Sequence, residues 1–166
     1  MDKIFDLVFS PKLFFKTSKF GFLSSILAIF VVWIVNVLIL FPMFKNIPFF
    51  GGFYASSAIL LGLIVVYCAL AIGIHRIVGK GGKTVFLGFP FVIFPNVMTG
   101  WIFSIYFIWK WAAVLFLIPI FWSVMLEYYL VRSSMGYGMA YTVIVRITRD
   151  IIFFVSLYAF LKGWLV

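Results

Sequence analysis

The stretch FGFLSSILAIFVVWIVNVLILFPMF, Phe20 to Phe44, decides how this chain is read, because it runs its whole length without a charged side chain. Crossing about 30 Å of hydrocarbon takes roughly 20 apolar residues as a helix, and in lipid a helix bonds its own backbone N–H and C=O groups. Residues 20–44 meet that length, and four further runs, at 53–74, 86–108, 111–131 and 151–166, meet or approach it. Composition points the same way: 66% hydrophobic and only 10% charged residues, with a mean hydropathy of +1.26, leave too little polar surface for a hydrated globule. The expected fold is all-α, a polytopic membrane helical bundle of five transmembrane helices. It forms a single domain, residues 1–166, with a short N-terminal interfacial helix in the segment 1–19.

The connections are short. A Pro/Gly turn from Lys45 to Gly52 joins the first two runs into a hairpin, and Trp109 with Lys110 joins the third to the fourth. The fifth run is marginal in length and contains Lys162, so its helix is expected at Ile151 or earlier, after Gly138. Ten of the thirteen basic residues fall before the first run, between the second and third, or between the fourth and fifth: Lys3, Lys12, Lys16, Lys19, Arg76, Lys80, Lys83, Arg132, Arg146 and Arg149. Only Lys45, Lys110 and Lys162 fall on the other side, which by the positive-inside rule sets the N-terminus in the cytoplasm and the C-terminus outside a cell membrane. A cleaved signal peptide is not expected, since the first run is too long and lacks a small-residue cleavage site.

The net charge of +9 is spread over three short segments with no nucleic-acid motif, so anionic lipid headgroups are the expected partner and nucleic acid is not. Lys12, Lys16, Lys19, Lys80, Arg132, Arg146 and Arg149 are the candidate headgroup contacts. Ile4, Leu7 and Val8 recur at helical spacing ahead of Ser10 and Pro11, a cap and first-turn proline for a second short helix. The Gly82-Lys83-Thr84 tripeptide fails as a phosphate loop because Ile77 stands where the first glycine is required. Lone Cys68 allows no intrachain disulfide, and a single His with one Cys gives no metal site.

An ionisable group at membrane depth is costly unless paired. Glu127 is the only acidic residue inside a run, and by helix rise it lies about 7 Å below the cytoplasmic boundary marked by Arg132. Pro119, Ser123 and Glu127 stack on one face of the fourth helix, and His75, Arg76 and Lys83 are the candidate ion-pair partners. Pro90 and Pro95 interrupt the third run, which also carries Asn96, Thr99 and Ser104; Asn36 is the expected hydrogen-bond counterpart of Asn96. Ala55, Ala58, Gly62, Ala69 and Gly73 form a small-residue stripe, expected as an internal packing seam. Trp101, Trp109, Trp111 and Trp164 fall near expected boundaries, where amphipathic rings settle. The few acidic residues, Asp2, Asp6, Glu127 and Asp150, are scattered, so neither catalysis nor a cofactor is expected.

The succession Ser10-Pro11-Lys12-Leu13-Phe14-Phe15-Lys16, the loop Gly79-Lys80-Gly81-Gly82-Lys83-Thr84, Pro95 in the third run, and Trp122 followed by Gly136, Gly138 and Ala140 resemble the Yip domain family (Ypt/Rab-interacting protein, YIPF-like). The similarity extends from about Pro11 to the C-terminus and is to the compact prokaryotic-type members. It implies five spans with a cytoplasmic N-terminus, and for eukaryotic members a role in vesicle traffic with prenylated Rab GTPases. This chain lacks their long N-terminal region, and no residue matches a position of known chemistry, so Rab binding is not carried over.

The expectation is thus a non-enzymatic integral membrane protein of Yip type, a scaffold for membrane organisation or trafficking that binds lipid, a partner protein or a second copy of itself. The alternative is a small oligomeric transporter or channel for an ion or small solute, built on Asn36, Asn96, Thr99, Ser104, Ser123 and Glu127.

Overall fold

The computed structural model describes residues 2–17, 21–44, 53–79 and 83–165, and among these every regular element is helical. The order is α1 (Asp2–Phe9), α2 (Pro11–Thr17), α3 (Phe22–Phe44), α4 (Phe53–Gly79), α5 (Lys83–Val92), α6 (Val97–Ile108), α7 (Leu117–Met135) and α8 (Met139–Leu165). A 3-10 turn, Phe94–Asn96, separates α5 from α6, and a 3-10 segment, Lys110–Phe116, leads into α7.

Among the described residues, three stretches are long and apolar enough to cross a membrane: Phe22–Ile39, Ser57–Val78 and Lys110–Met135. Their large apolar side chains, such as Leu23, Leu38, Val66 and Phe121, are exposed at the molecular surface, as lipid-facing residues are. The chain is in this respect compatible with an integral membrane protein. The third and fifth runs depart from simple spans. Pro90 has no N–H to donate and Pro95 opens the 3-10 turn, so the third run divides into helices of 10 and 12 residues. The fifth run does begin early: α8 starts at Met139 and is continuous for 27 residues, carrying Arg146, Arg149, Asp150 and Lys162 within it.

Side chains of α3 donate to backbone carbonyls of the segments around it. The Ser25 hydroxyl lies 2.6 Å from the Leu87 carbonyl, one turn before Pro90. Asn36 Nδ2 donates to the Asn96 carbonyl at 3.0 Å, and Trp33 Nε1 to the Ser57 carbonyl at 2.9 Å. The Asn36–Asn96 pairing expected from sequence thus runs through the Asn96 backbone. At the turn after α6, Trp109 is extended (φ −142°, ψ 103°) and leads the chain into the 3-10 segment. Gly136 ends α7 at φ 75°, a left-handed cap open to glycine without the penalty a Cβ would bring.

Two expectations are corrected. The N-terminal segment is more than a surface anchor: Leu7, Phe14 and Phe15 are buried in the same core cluster as Phe89, Leu126 and Leu130, and α2 packs on α7. Within α4, Ala58, Gly62 and Ala69 are exposed, and a Cβ at Gly62 or Gly73 would meet nothing within 4 Å. The small-residue stripe is therefore not an internal seam; α4 turns Cys68, Ala71 and His75 inward instead.

Candidate functional site: a buried ionic network

Three helices each bring one face to the site. On α4, Tyr67, Ala71 and His75 are spaced by four, and on α7, Pro119, Ser123 and Glu127 are likewise spaced by four and all buried. On α8, Thr142, Val145 and Arg149 lie at intervals of three and four and are buried too, with Arg146 and Asp150 flanking them. Phe89, on α5 just before Pro90, is fully buried beneath the cluster.

Glu127 is 0% exposed and accepts three contacts: His75 Nε2 at 3.1 Å and Arg149 Nη1 at 2.7 Å on Oε1, and Arg146 Nη1 at 3.3 Å on Oε2. Arg149, also 0% exposed, further donates from Nη2 to the Tyr67 hydroxyl at 2.8 Å and from Nε to Asp150 Oδ1 at 3.2 Å. The Tyr67 hydroxyl in turn donates to Asp150 Oδ1 at 2.8 Å. Arg146 Nε lies 3.6 Å from Asp150 Oδ2. The Arg149 guanidinium sits 4.6 Å from the Tyr67 ring centre and 5.3 Å from that of Phe89, aromatic faces that favour a desolvated cation.

Two carboxylates, Glu127 and Asp150, face two guanidinium groups, Arg146 and Arg149, so these four charges balance one another. A carboxylate only accepts, hence His75 satisfies both neighbours as the Nε2–H tautomer, with Nδ1 turned to the Tyr141 hydroxyl at 3.5 Å. Charges hydrogen-bonded to several partners in this way offset much of the several kcal/mol each costs to desolvate.

Of the partners expected for Glu127, His75 is in place, Arg76 is exposed, and the Lys83 side chain lies outside the described residues. Arg149 and Arg146, expected at the headgroups, are instead the two cations on Glu127; Arg149 is sealed and the Arg146 side chain is 12% exposed. The signal was present in the sequence: once the last helix is taken to begin near Gly138, Arg146, Arg149 and Asp150 share one face with Thr142. Tyr67 and Tyr141 carried no such signal, since isolated tyrosines in apolar runs are common.

Lys12, Lys16 and Arg132 are exposed; Lys19 and Lys80 lie outside the described residues. Asn36 and Ser123 are buried, Asn96 and Thr99 half-buried, and the Ser104 side chain is outside the described set. Asn96 is tied to Asn36, while Ser123 sits one turn from Glu127, its hydroxyl buried and without a hydrogen-bond partner among the described residues. Among the described residues, no group of three or more His, Cys, Asp or Glu side chains is arranged to hold a metal ion.

The class these features define is an all-helical protein with membrane-compatible helices and a charge-balanced network buried between three of them. No family model matches the chain, and neither a curated protein nor a solved structure is significantly similar to it.

Proposed function

We propose that this chain is a five-pass, non-enzymatic membrane scaffold of Yip type, cytoplasmic at its N-terminus and external at its C-terminus, that organises lipid or partner proteins. The carrying observation is the closure of Glu127. The one carboxylate within an apolar run is fully buried and its charge is met by Arg149, Arg146 and His75, which makes it a lock between α4, α7 and α8. A site that loads and releases an ion needs a carboxylate that solute and water can reach, usually with further polar groups along a path. Support for the orientation comes from the basic residues, ten of which fall on the side assigned to the cytoplasm. In this reading α5 and α6 together make the third pass and α8 the fifth.

Proteoliposomes give the functional test. Wild-type protein and Glu127→Gln are expected to carry no proton or ion flux above empty vesicles, and native mass spectrometry in nanodiscs is expected to retain lipid or a further protein copy. Flux that disappears on Glu127→Gln overturns the scaffold reading. Topology is tested separately: reporter tags at Ile47 and Gly81 are expected on opposite sides, and same-side labelling overturns the five-pass map. The transporter alternative draws on Ser123, whose partnerless hydroxyl is the kind of group a water in a hydrated path would satisfy.

A further inference from the structure

α2 lies across the end of α7 with Phe14 and Phe15 turned into the core, and its other face leaves a cleft of about 470 Å³ above Phe15. Lys12 and Lys16, one helical turn apart, form one side, while Tyr129 and Arg132 of α7 form the other. A second hollow of about 490 Å³ continues from it past Lys12 and Lys16 to Phe9 and Leu13. Both volumes fall within the roughly 300–1,000 Å³ typical of ligand sites.

The charges here are treated differently from those in the buried network. Arg146 and Arg149 are each met by carboxylates, but among the described residues no acidic side chain lines either hollow or pairs with Lys12, Lys16 or Arg132. Arg132 is held in place by Tyr128, to whose hydroxyl it donates and over whose ring its guanidinium lies at 5.7 Å. Three converging cations, one of them oriented, make a receptor for a phosphate group. Phe9 and Leu13, 68% and 50% exposed, continue the second hollow as an apolar wall, so the complementary ligand is an amphiphile with an anionic head.

We propose that this cleft is a binding site for an anionic phospholipid, its phosphate held by Lys12, Lys16 and Arg132 and its apolar portion lying along Phe9 and Leu13. The site rests on the membrane-scaffold reading above, and gives it a specific ligand class where sequence offered only diffuse attraction to headgroups. It also gives the docking of α1 and α2 a purpose, since the cleft exists only where α2 meets α7.

The test is native mass spectrometry of the full chain taken from phosphatidylcholine nanodiscs with and without a minor fraction of phosphatidylglycerol. Wild type is expected to retain phosphatidylglycerol. The triple variant Lys12→Gln, Lys16→Gln, Arg132→Gln is expected to bind it on the order of a hundredfold more weakly, at about 1 kcal/mol per cation near a membrane surface. The control Lys110→Gln with Lys162→Gln, which removes two exposed cations elsewhere, is expected to retain it. Equal retention by wild type and the triple variant overturns the site, as does equal loss in the control, whatever the flux and tag experiments report. Should the triple variant fail to fold, Lys16→Glu alone, at an exposed and unpaired position, carries the same expectation. Inorganic phosphate separates the two sources of a phosphate group: displacement of lipid by phosphate at comparable concentration, with Leu13→Ser binding lipid as wild type does, overturns the lipid assignment in favour of a free anion.

Discussion

The half of the molecule around Glu127 and the half around Asn96 solve the same problem by opposite means. Around Glu127, full charges are taken out of water and matched with one another, side chain to side chain, across α4, α7 and α8. Around Asn96, neutral donors reach backbone carbonyls: Asn36 to Asn96, Ser25 to Leu87, Trp33 to Ser57. The second device ties α3 to its neighbours through single neutral hydrogen bonds that share no partner with one another. The first is mutually dependent, because every charge removed leaves another uncompensated in a low-dielectric setting. The two regions should therefore respond very differently to single substitutions.

The largest effect is expected at Glu127. Glu127→Leu leaves Arg149 fully buried with only Asp150 opposite it, and breaking a buried pair in this way costs about 3–5 kcal/mol. Thermal unfolding in nanodiscs should show a large drop in midpoint, and Glu127→Leu combined with Arg149→Leu should recover most of it. A single variant as stable as wild type would show that the network holds nothing together. Tyr67→Phe is next. It keeps the ring 4.6 Å from the guanidinium but removes the hydroxyl that bridges Arg149 to Asp150, a charge-assisted bond worth about 1.5–3 kcal/mol. Loss of that size with the ring retained assigns the effect to the hydrogen bond and not to packing.

The same contrast explains what could be read from the sequence. Lengths and hydropathy of residues 22–39 and 57–78 decide their helices, because in lipid the backbone has no other way to be satisfied. Glu127 announces itself by being the one carboxylate in an apolar run, and His75 was within reach of it by position alone. Basic residues beside an apolar run usually mark the headgroups, which is where sequence puts Arg146 and Arg149; only the early start of α8 carries them inward to Glu127. The outward turn of the α4 stripe was not legible either, since small residues permit close packing without requiring it. Proline predicted a weak point in the third run, but that the Ser25 hydroxyl would meet the Leu87 carbonyl depends on how α3 and α5 lie together.

In the neutral half a smaller loss is expected. Asn36→Leu removes the donor to the Asn96 carbonyl and should cost about 1 kcal/mol, the range of hydrogen bonds between membrane helices. Combined with Tyr67→Phe, it should add to that variant's loss within about 0.5 kcal/mol, since the two sites share no partner. Strong non-additivity in the double variant would mean that the two halves are one coupled unit.

Ser123 lies closest to the dividing line, one turn from Glu127 but belonging to neither device, because its buried hydroxyl has no partner among the described residues. A hydroxyl left unbonded in the interior is a standing cost, so Ser123→Ala should change stability by less than about 0.5 kcal/mol or raise it. A loss above about 1 kcal/mol would mean that the hydroxyl is bonded in the membrane-embedded protein, and water is the natural donor or acceptor at such a place. Water beside Glu127 would open the lock to exchange and favour the transport reading. The smallest expected effect in the set therefore separates a sealed network from a hydrated one.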